Sequence, residues 1–226
     1  MKTVGTHIPH VCLVALGLGA CGGAPAGHPH GEMHAQHGFK SPEEWAQKFD
    51  DPARDAWQKP DAVLGHLKYS SNSKVADLGA GTGYFAVRLA PLVPVGKVYA
   101  VDVEPSMVEY TQKRAAALGL KNVVGVVAAP DDPRLPEPVE IVLVVDTYHH
   151  LADRAAYFRK LKDALLPGGR VVIVDYKPDP AIPGPPQALR LEADTVVREM
   201  GEAGYAVTTR SEGALPRQYI LIFEAK

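Results

Sequence analysis

The segment that most limits the possible folds of this chain is a glycine-rich bend between a short apolar strand and a helix. It reads Val75-Ala76-Asp77-Leu78-Gly79-Ala80-Gly81-Thr82-Gly83-Tyr84. Because glycine has no Cβ, the backbone of such a bend can turn tightly and approach a ligand closely. In open α/β sheets, ligands bind outside the carboxyl ends of the strands, where bends of this kind lie. The sequence therefore predicts a ligand site at the first junction between a strand and a helix.

Strand and helix patterns alternate along the rest of the chain. Strands are predicted over residues 74–78, 97–102, 122–127, 139–146, 170–176, 206–210 and 218–224. Helices are predicted from Ser41, over 55–67 with a break near Pro60, and over 84–92, 106–118 with Ser106 as its cap, 154–166 and 187–203. Strands with apolar residues on both faces are typical of a sheet covered by helices on both sides. We expect a Rossmann-like α/β domain over 41–226, with a seven-stranded, mostly parallel sheet that ends in an antiparallel hairpin.

The spacing of the glycines separates two classes of cofactor. A dinucleotide-binding bend follows the pattern G-x-G-x-x-G, which would place the third glycine at position 84. Here position 84 is a tyrosine and the third glycine is Gly83, with Asp77 preceding the bend on the strand. This Asp-Leu-Gly-Ala-Gly-Thr-Gly pattern resembles motif I of class I S-adenosylmethionine-dependent methyltransferases. The alternative that stays open is a nicotinamide-dependent oxidoreductase.

A second acid at the end of the next strand strengthens the resemblance. Asp102 can accept hydrogen bonds from both ribose hydroxyls of an adenosyl group, and Glu104 is the alternative. After the third strand, an acid of the family faces the adenine amino group, and Asp131 is the candidate. The resemblance implies a cofactor site formed by Asp77, Gly79, Ala80, Gly81, Gly83, Tyr84, Asp102, Val103, Asp131 and Asp146.

The end of the fourth strand carries the catalytic candidates. It reads Asp146-Thr147-Tyr148-His149-His150, and in the family this site faces the sulfonium and the substrate. Either histidine could accept a proton from a hydroxyl or amine acceptor, because imidazole titrates near neutral pH. The alternative is that the histidines cap the next helix or pack beneath the cofactor. We take Tyr148, His149 and His150 as catalytic candidates.

Residues 41–68 are predicted to form an N-terminal helical lid. The segment 54–60, Arg-Asp-Ala-Trp-Gln-Lys-Pro, resembles an entry segment of small-molecule members of the superfamily. Trp57 or Tyr84 is predicted to cover the site and exclude water. For Trp57 the alternative is ordinary helix packing.

The first 40 residues have the pattern of a targeting signal rather than of a folded domain. Residues 11–20 form an apolar run. Its last residues and the following cysteine, Leu18-Gly19-Ala20-Cys21, resemble a bacterial lipobox. This implies a signal peptide over 1–20, a membrane tether through lipidated Cys21, and a flexible linker over 21–40. Translation from Met33 would instead give a cytoplasmic product. In the linker, His28, His30, His34 and His37 could bind a divalent metal or be only a soluble spacer.

Composition and missing motifs exclude several classes of partner and methyl acceptor. The net charge is −2 and no long basic block occurs, so nucleic acid is not an expected partner. Residues 22–226 contain no cysteine, and the arsenite-methylating branch of the family relies on cysteines, so arsenite is not an expected acceptor. No Asn/Asp-Pro-Pro-Tyr motif follows the fourth strand, which argues against amide, adenine or glutamine methylation. We predict an S-adenosylmethionine-dependent methyltransferase for a small-molecule acceptor. A metal-binding lipoprotein with an inactive methyltransferase-like domain is a further alternative.

Overall fold

The computed structural model describes residues 41–226, together with Met1. The predicted signal peptide with its lipobox, the linker and its four histidines therefore lie outside the described residues, Met1 apart. None of the helices in residues 41–226 is long and apolar enough to cross a bilayer.

A single sheet organises residues 41–226, and its strand order is β3-β2-β1-β4-β5-β7-β6. Strands β1 to β5 run parallel to one another, whereas β7 is antiparallel to both β5 and β6. The strands are β1 (Lys74–Leu78), β2 (Lys97–Asp102), β3 (Val123–Val127), β4 (Val139–Val145), β5 (Leu165–Tyr176), β6 (Tyr205–Ser211) and β7 (Gln218–Ala225). The predicted seven-stranded, mostly parallel sheet with a C-terminal hairpin is confirmed.

Helices connect the strands, and three helices precede β1 in the segment that is predicted to form a lid and is called the lid below. In the described part of the chain they are α1 (Pro42–Phe49), α2 (Arg54–Gln58), α3 (Pro60–Gly65), α4 (Ala86–Leu89), α5 (Pro105–Ala117), α6 (Arg154–Leu161) and α7 (Ala193–Glu202). Short 3₁₀ turns occur at Ala90–Leu92, Tyr148–His150, Lys162–Ala164 and Gln187–Leu189. Ser41 caps α1 by accepting a hydrogen bond from the Glu44 backbone N–H, as its sequence predicts.

The core lies on both faces of the sheet because successive strand residues point to opposite sides. On β4, Val142 and Val144 join one buried cluster, which includes Phe158 of α6 and Met200 of α7. Ile141, Leu143 and Val145 join the other cluster, which includes Leu64 of α3 and Leu89 of α4. The central strands therefore have helices on both sides, which agrees with their uniformly apolar sequences.

Several predicted boundaries are wrong for local reasons. The helix predicted over 106–118 begins at Pro105, and Glu104 rather than Ser106 occupies the N-cap position. The helix predicted over 154–166 ends at Leu161, since Pro167, Gly168 and Gly169 belong to β5 and not to a turn before it. A register shift between β4 and β5 accommodates these residues, and Gly168 has a φ of 75°.

Two further helices are shorter than predicted. The helix predicted over 187–203 forms only from Ala193, preceded by a separate 3₁₀ turn. The one predicted over 55–67 is divided into α2 and α3 by Lys59, whose φ is 44°. The following Pro60 disfavours the right-handed helical conformation at Lys59, which explains the break.

Candidate functional site

The glycine-rich bend lies at the carboxyl end of β1, the strand at which the order of strands in the sheet reverses. From β1 the chain passes to β2 on one side, whereas β4 and β5 lie on the other. The helices on either side of such a point diverge and leave a crevice for a ligand. The bend at 79–83 therefore occupies the place that the fold provides for a ligand.

The backbone of the bend requires glycine at defined positions. Gly79, Gly81 and Gly83 have φ values of 76°, 54° and 83°. A Cβ on Gly79 would lie 2.1 Å from Oγ1 of Thr147, and one on Gly83 would lie 2.7 Å from Cγ2 of Thr111. The glycines thus permit both the left-handed turns and the close approach of the loop that follows β4.

Asp102 at the end of β2 holds the bend in place. Its Oδ2 accepts a hydrogen bond from the Gly81 N–H at 2.8 Å, and its Oδ1 accepts one from the Glu104 N–H at 3.0 Å. A carboxylate oxygen can accept more than one hydrogen bond, which is the property that a contact with ribose hydroxyls requires. Val103, the next residue, is an apolar side chain 42% exposed at the same edge.

Two buried polar atoms beside the bend lack partners among the described residues. They are Oδ2 of Asp77 and Oγ1 of Thr82. Burial raises the pKa of Asp77 to about 7, although the Ala86 backbone N–H and the charge of Arg54 oppose the shift. Buried polar groups are normally hydrogen-bonded, so these orphaned atoms indicate that a polar ligand completes the site.

Arg54 of α2 lies against Tyr84, the residue that follows the bend. Its guanidinium is 4.0 Å from the ring centroid of Tyr84 and donates to the Phe49 carbonyl and to Oε1 of Gln58. The Tyr84 hydroxyl in turn donates to Asp55, and burial followed by this hydrogen bond raises its pKa. Tyr84, which stands where a dinucleotide-binding bend would have its third glycine, therefore packs against the lid.

Asp146 stands at the end of β4 in a conformation that is unusual for a residue with a side chain, with a φ of 53°. Its Oδ1 accepts a hydrogen bond from Gln218, and its Oδ2 lies 3.6 Å from the Arg54 guanidinium. Burial, followed by the charge of Asp175, raises the pKa of Asp146 to about 7, while Arg54, His149 and Gln218 oppose the shift.

A relay of amide side chains joins the lid to the sheet. Gln58 of α2 donates to Gln218 of β7 at 2.6 Å, and Gln218 donates to Asp146, the residue after β4, at 2.5 Å. Both glutamines are fully buried. Because each buried amide depends on the other, the lid residues 54–58 are tied to the carboxyl edge of the sheet.

His149 and Asp175 form a buried pair next to Asp146. The Nδ1 atom of His149 lies 2.8 and 3.0 Å from the two carboxylate oxygens of Asp175, and His149 is 4% exposed. Burial opposes the charged imidazole, but the hydrogen bond and charge of Asp175 and the charge of Asp146 outweigh it and raise the pKa of His149. An Nδ1–H that donates to Asp175 leaves Nε2 as the basic nitrogen.

The other two catalytic candidates lie in different surroundings. His150 is exposed, and its ring centroid is 4.2 Å from that of His149. Tyr148 is fully buried in the core, where it stacks on Phe158 and donates to Glu199 of α7. These packing contacts account for Tyr148 and do not support a catalytic role, whereas the roles of the two histidines stay predictions.

Asp131 lies on the surface after β3. Its side chain is 82% exposed and pairs with Lys160 of α6 at 3.2 Å, which lowers its pKa. It lines a cavity of about 300 Å³ together with Leu151 and Tyr157. Its predicted contact with adenine stays a prediction.

Several residues of the site escaped the sequence analysis as functional candidates. They are Arg54, Gln58, Asp175 and Gln218. Asp175 had a detectable signal, because it is the charged residue near the end of an otherwise apolar strand, Val171-Val172-Ile173-Val174-Asp175. The glutamines carried no local signal, since their pairing joins positions 160 residues apart.

The bend, the acid one strand away and the orphaned polar atoms fit S-adenosylmethionine. The glycine cradle lets the ligand approach the backbone, Asp102 suits ribose hydroxyls, and Asp77 and Thr82 can bind a polar group at the bend. Within residues 41–226, no cluster of three or more histidine, cysteine, aspartate or glutamate side chains could hold a metal ion.

Comparisons with known proteins agree with this geometry. A family model described as a methyltransferase domain matches residues 69–203. A protein-L-isoaspartate O-methyltransferase of Aeropyrum pernix is 38% identical over 121 residues, which are 52% of this chain and 44% of that protein. A 27-O-demethylrifamycin SV methyltransferase of Amycolatopsis mediterranei is 30% identical over 156 residues, 67% of this chain and 54% of that protein. The chain thus spans about half the length of these curated relatives.

Solved structures extend the comparison. The crystal structure of a SAM-dependent methyltransferase from Aquifex aeolicus superposes with a TM-score of 0.74 and 28% identity, covering 82% of this chain and 98% of that one. The fold is that of the S-adenosylmethionine-dependent methyltransferases of class I. The chain belongs to the methyltransferase domain family. This membership favours the methyltransferase interpretation over the nicotinamide-dependent one.

Proposed function

We propose that this protein transfers the methyl group of S-adenosylmethionine to a small-molecule acceptor. The observation that carries the proposal is the bend at 79–83, which Asp102 braces through the Gly81 N–H and beside which Asp77 and Thr82 leave polar atoms unpaired. A bend without side chains, beside buried polar atoms that have no described partner, is suited to holding a polar ligand.

Relatives support a small acceptor. Besides the rifamycin enzyme, they include a demethylmenaquinone methyltransferase of Thermus thermophilus at 31% identity and a catechol O-methyltransferase of Mus musculus at 30% identity. The isoaspartate enzyme acts on a protein by its name, so a protein acceptor is the competing proposal. A lid tied down by the buried pair Gln58 and Gln218 favours the small acceptor, because it narrows access to the edge of the sheet.

The chain's own residues bind, orient and exclude water. The bound cofactor supplies an electrophilic methyl group. Asp102 would accept hydrogen bonds from the ribose, while Arg54 and Tyr84 close the site under the lid. Holding donor and acceptor in line at short distance supplies a large part of the rate enhancement.

His149 is the proposed proton acceptor for a hydroxyl or amine substrate. Asp175 fixes the tautomer, so that the lone pair of Nε2 is available and the imidazolium that forms is stabilised. Since His149 is 4% exposed, only a group seated against it within the protein would exchange a proton readily. For an acceptor that is already anionic, positioning alone would suffice.

The N-terminus supports a separate proposal about location. Leu18-Gly19-Ala20-Cys21 favours a lipidated Cys21 as a membrane tether, with residues 21–40 as the linker and His28, His30, His34 and His37 as a candidate metal-binding tract. Mass spectrometry of the mature N-terminus distinguishes an acylated Cys21 from a product that starts at Met33.

Calorimetric titration with S-adenosylmethionine and with NADH tests the proposed cofactor and its contacts. We expect S-adenosylmethionine to bind and NADH not to bind. Asp102→Ala should weaken S-adenosylmethionine binding by about tenfold or more, as expected for losing a charge-assisted bidentate contact. Glu104→Ala is the matched control and should leave affinity within about threefold. Tight NADH binding without S-adenosylmethionine binding would refute the proposal, and an effect confined to Glu104 would move the ribose contact there.

A further inference from the structure

Three arginines converge on the edge of the site formed by the lid, β5 and β7. Arg54 and Arg217 lie 5.8 and 4.8 Å from the ring centroid of Trp57, and Arg190 lies 5.7 Å from that of Tyr176. The two rings are themselves 5.8 Å apart. Arg54 links this edge to the bend for the cofactor, because its guanidinium also lies 4.0 Å from the ring centroid of Tyr84.

Two of these arginines are already engaged. Arg54 donates to the Phe49 carbonyl and to Gln58, and it faces Asp146 at 3.6 Å. Arg190 donates through Nε, Nη1 and Nη2 to the backbone carbonyls of Pro185, Asp179 and Ile182. Arg190 thus holds together the loop that follows β5, and Arg54 holds the lid.

Arg217 differs from both. The residue is half-buried, and within residues 41–226 its guanidinium lies against the ring of Trp57. No described carboxylate lies within 4.0 Å of it. Its backbone is fixed, because its carbonyl accepts a hydrogen bond from the Lys177 N–H at 3.0 Å and β7 begins at the next residue. A partly desolvated guanidinium on a fixed backbone, without a carboxylate partner, is suited to binding an oxyanion.

The neighbouring cations have polar partners that Arg217 lacks. Arg54 has Asp146 beside it, Arg190 donates to three backbone carbonyls, and the Lys177 ammonium donates to the Leu215 carbonyl. Among the described residues, the Arg217 guanidinium has the ring of Trp57 beside it and no hydrogen-bond acceptor, so an oxyanion would complete its contacts. A carboxylate matches the planar fork of the guanidinium and can bind it through two parallel hydrogen bonds.

We propose that the methyl acceptor carries a carboxylate, which Arg217 binds at the edge between Trp57 and β7. This inference rests on the proposed methyltransferase function and adds the chemical class of its acceptor. The carboxylate does not react. It anchors one end of the acceptor, so that the rest of the molecule extends under the lid toward Asp146 and His149.

The chain offers a local reporter for the test. Trp45 and Trp57 are its two tryptophans, so that a Trp45→Phe variant reports through Trp57 alone. In this background, saturated with S-adenosylmethionine, Trp57 fluorescence is followed during titration with acetate, benzoate and the neutral analogue benzamide. We expect a saturable change with a carboxylate, and binding of benzamide about tenfold or more weaker than that of benzoate.

Variants at position 217 assign the effect. Arg217→Gln should weaken carboxylate binding by about tenfold or more and Arg217→Lys by less, with calorimetric affinity for S-adenosylmethionine unchanged. Arg198→Gln is the control, because Arg198 is an exposed arginine paired with Glu202 within α7. Circular dichroism melts of each variant should match the parent, since Arg217 makes no described ion pair.

The outcomes separate the two proposals. If the parent fails to bind S-adenosylmethionine, the methyltransferase function itself is wrong. If the parent binds the cofactor but no carboxylate, or binds benzoate and benzamide equally, the acceptor inference is overturned. It is equally overturned if Arg217→Gln leaves benzoate binding unchanged, or if it abolishes cofactor binding, which would assign Arg217 to the cofactor.

Discussion

The proposed site has a cofactor half and an acceptor half, which meet at one edge of the sheet but are built in different ways. The cofactor half consists of the bend at 79–83 and Asp102, whose hydrogen bond to Gly81 joins residues 21 positions apart. The acceptor half consists of the lid against β4, β5 and β7, and its hydrogen bond between Gln58 and Gln218 joins residues 160 positions apart. The first half depends on local backbone geometry, and the second depends on pairs of side chains that meet only in the folded chain.

The difference explains what each half can reveal about function. A bend that tolerates only glycine at certain positions constrains the ligand from a few adjacent residues, so it identifies the cofactor. Side chains at the lid edge can change one at a time without altering the sheet, which is how one fold serves many acceptors. Knowledge of the acceptor must therefore come from the particular charges and rings at that edge.

The largest effect is expected for Gly79→Ala in the cofactor half. The new Cβ would lie 2.1 Å from Oγ1 of Thr147 at a φ of 76°, so the bend or the loop after β4 must move. We expect the free energy of unfolding to fall by about 1–3 kcal/mol from the strained backbone. Affinity for S-adenosylmethionine should fall by roughly a hundredfold or more, because a misplaced bend loses several contacts together. Chemical denaturation and calorimetry measure the two quantities.

Gly65→Ala is the matched control for this prediction. Gly65 lies in α3, a Cβ added to it would meet no described atom within 4 Å, and its φ is not positive. The change should stabilise the helix by about 0.5–1 kcal/mol and leave cofactor affinity unaltered. Equal losses of cofactor affinity in both variants would show that the bend has no special geometry, and the contrast between the halves would fail.

The same contrast governs how much of the structure can be predicted from the sequence. The bounds of β1 and β2 agree with the prediction to the residue, because their apolar runs end at charged or glycine positions. The place of Asp102 beside the bend follows from parallel pairing, which brings the carboxyl ends of β1 and β2 together. By contrast, the segment 167–169, Pro-Gly-Gly, has the sequence of a turn that ends a helix and instead extends β5, because pairing with β4 overrides its local preference.

The acceptor half is largely hidden from the sequence. Asp146 stands out as a strand-end acid, but its positive φ and its hydrogen bond to Gln218 depend on a strand at the far end of the chain. Tyr148 is grouped with the histidines by adjacency, yet the 3₁₀ turn directs it into the core toward Glu199. Residues within one three-residue turn can thus face different environments, which no period in the sequence reveals.

A smaller and more local effect is expected for Gln218→Leu in the acceptor half. The change removes the partner of Gln58 and of Asp146 and leaves their buried polar atoms unpaired, at a cost of about 1–3 kcal/mol. Because the relay ties down the lid, hydrogen exchange should accelerate by roughly tenfold or more at residues 54–65. Exchange in β1 should change much less, since β1 is bonded to β2 and β4. Mass spectrometry of exchanged peptides measures both regions.

Gln112→Leu supplies the control, because Gln112 is an exposed glutamine on α5. It should leave exchange in residues 54–65 at the parent rate. Uniform acceleration across β1 and the lid in Gln218→Leu would mean that the two halves unfold as one unit. The two halves would then differ in how they are built but not in how they unfold.

The smallest effect is expected for Asp175→Asn, which changes a charge at the junction of the two halves. In the parent, Asp175 and Asp146 raise the pKa of His149 against the opposing effect of burial. Neutral His149 is the form that accepts a proton, so transfer to a hydroxyl acceptor should decline as the pH falls through this raised pKa. Removing the Asp175 charge lowers that pKa, and the midpoint of the pH–rate profile should move to lower pH.

The raised pKa of His149 also sets how the free energy of unfolding depends on pH. A group whose pKa is raised on folding stabilises the fold fully below its unfolded pKa, and this contribution disappears as the pH rises through the folded pKa. Asp175→Asn should therefore cost more stability at about pH 5.5 than at about pH 8.5. Asp146, whose pKa is raised to about 7 by burial and then by Asp175, also responds to the substitution. Imidazole ¹⁵N resonances, with that of His149 assigned by its loss in His149→Gln, separate the two groups. An unmoved His149 titration in Asp175→Asn would show that the pair sets only orientation, and that the acid at the end of β5 belongs to the architecture rather than to the chemistry.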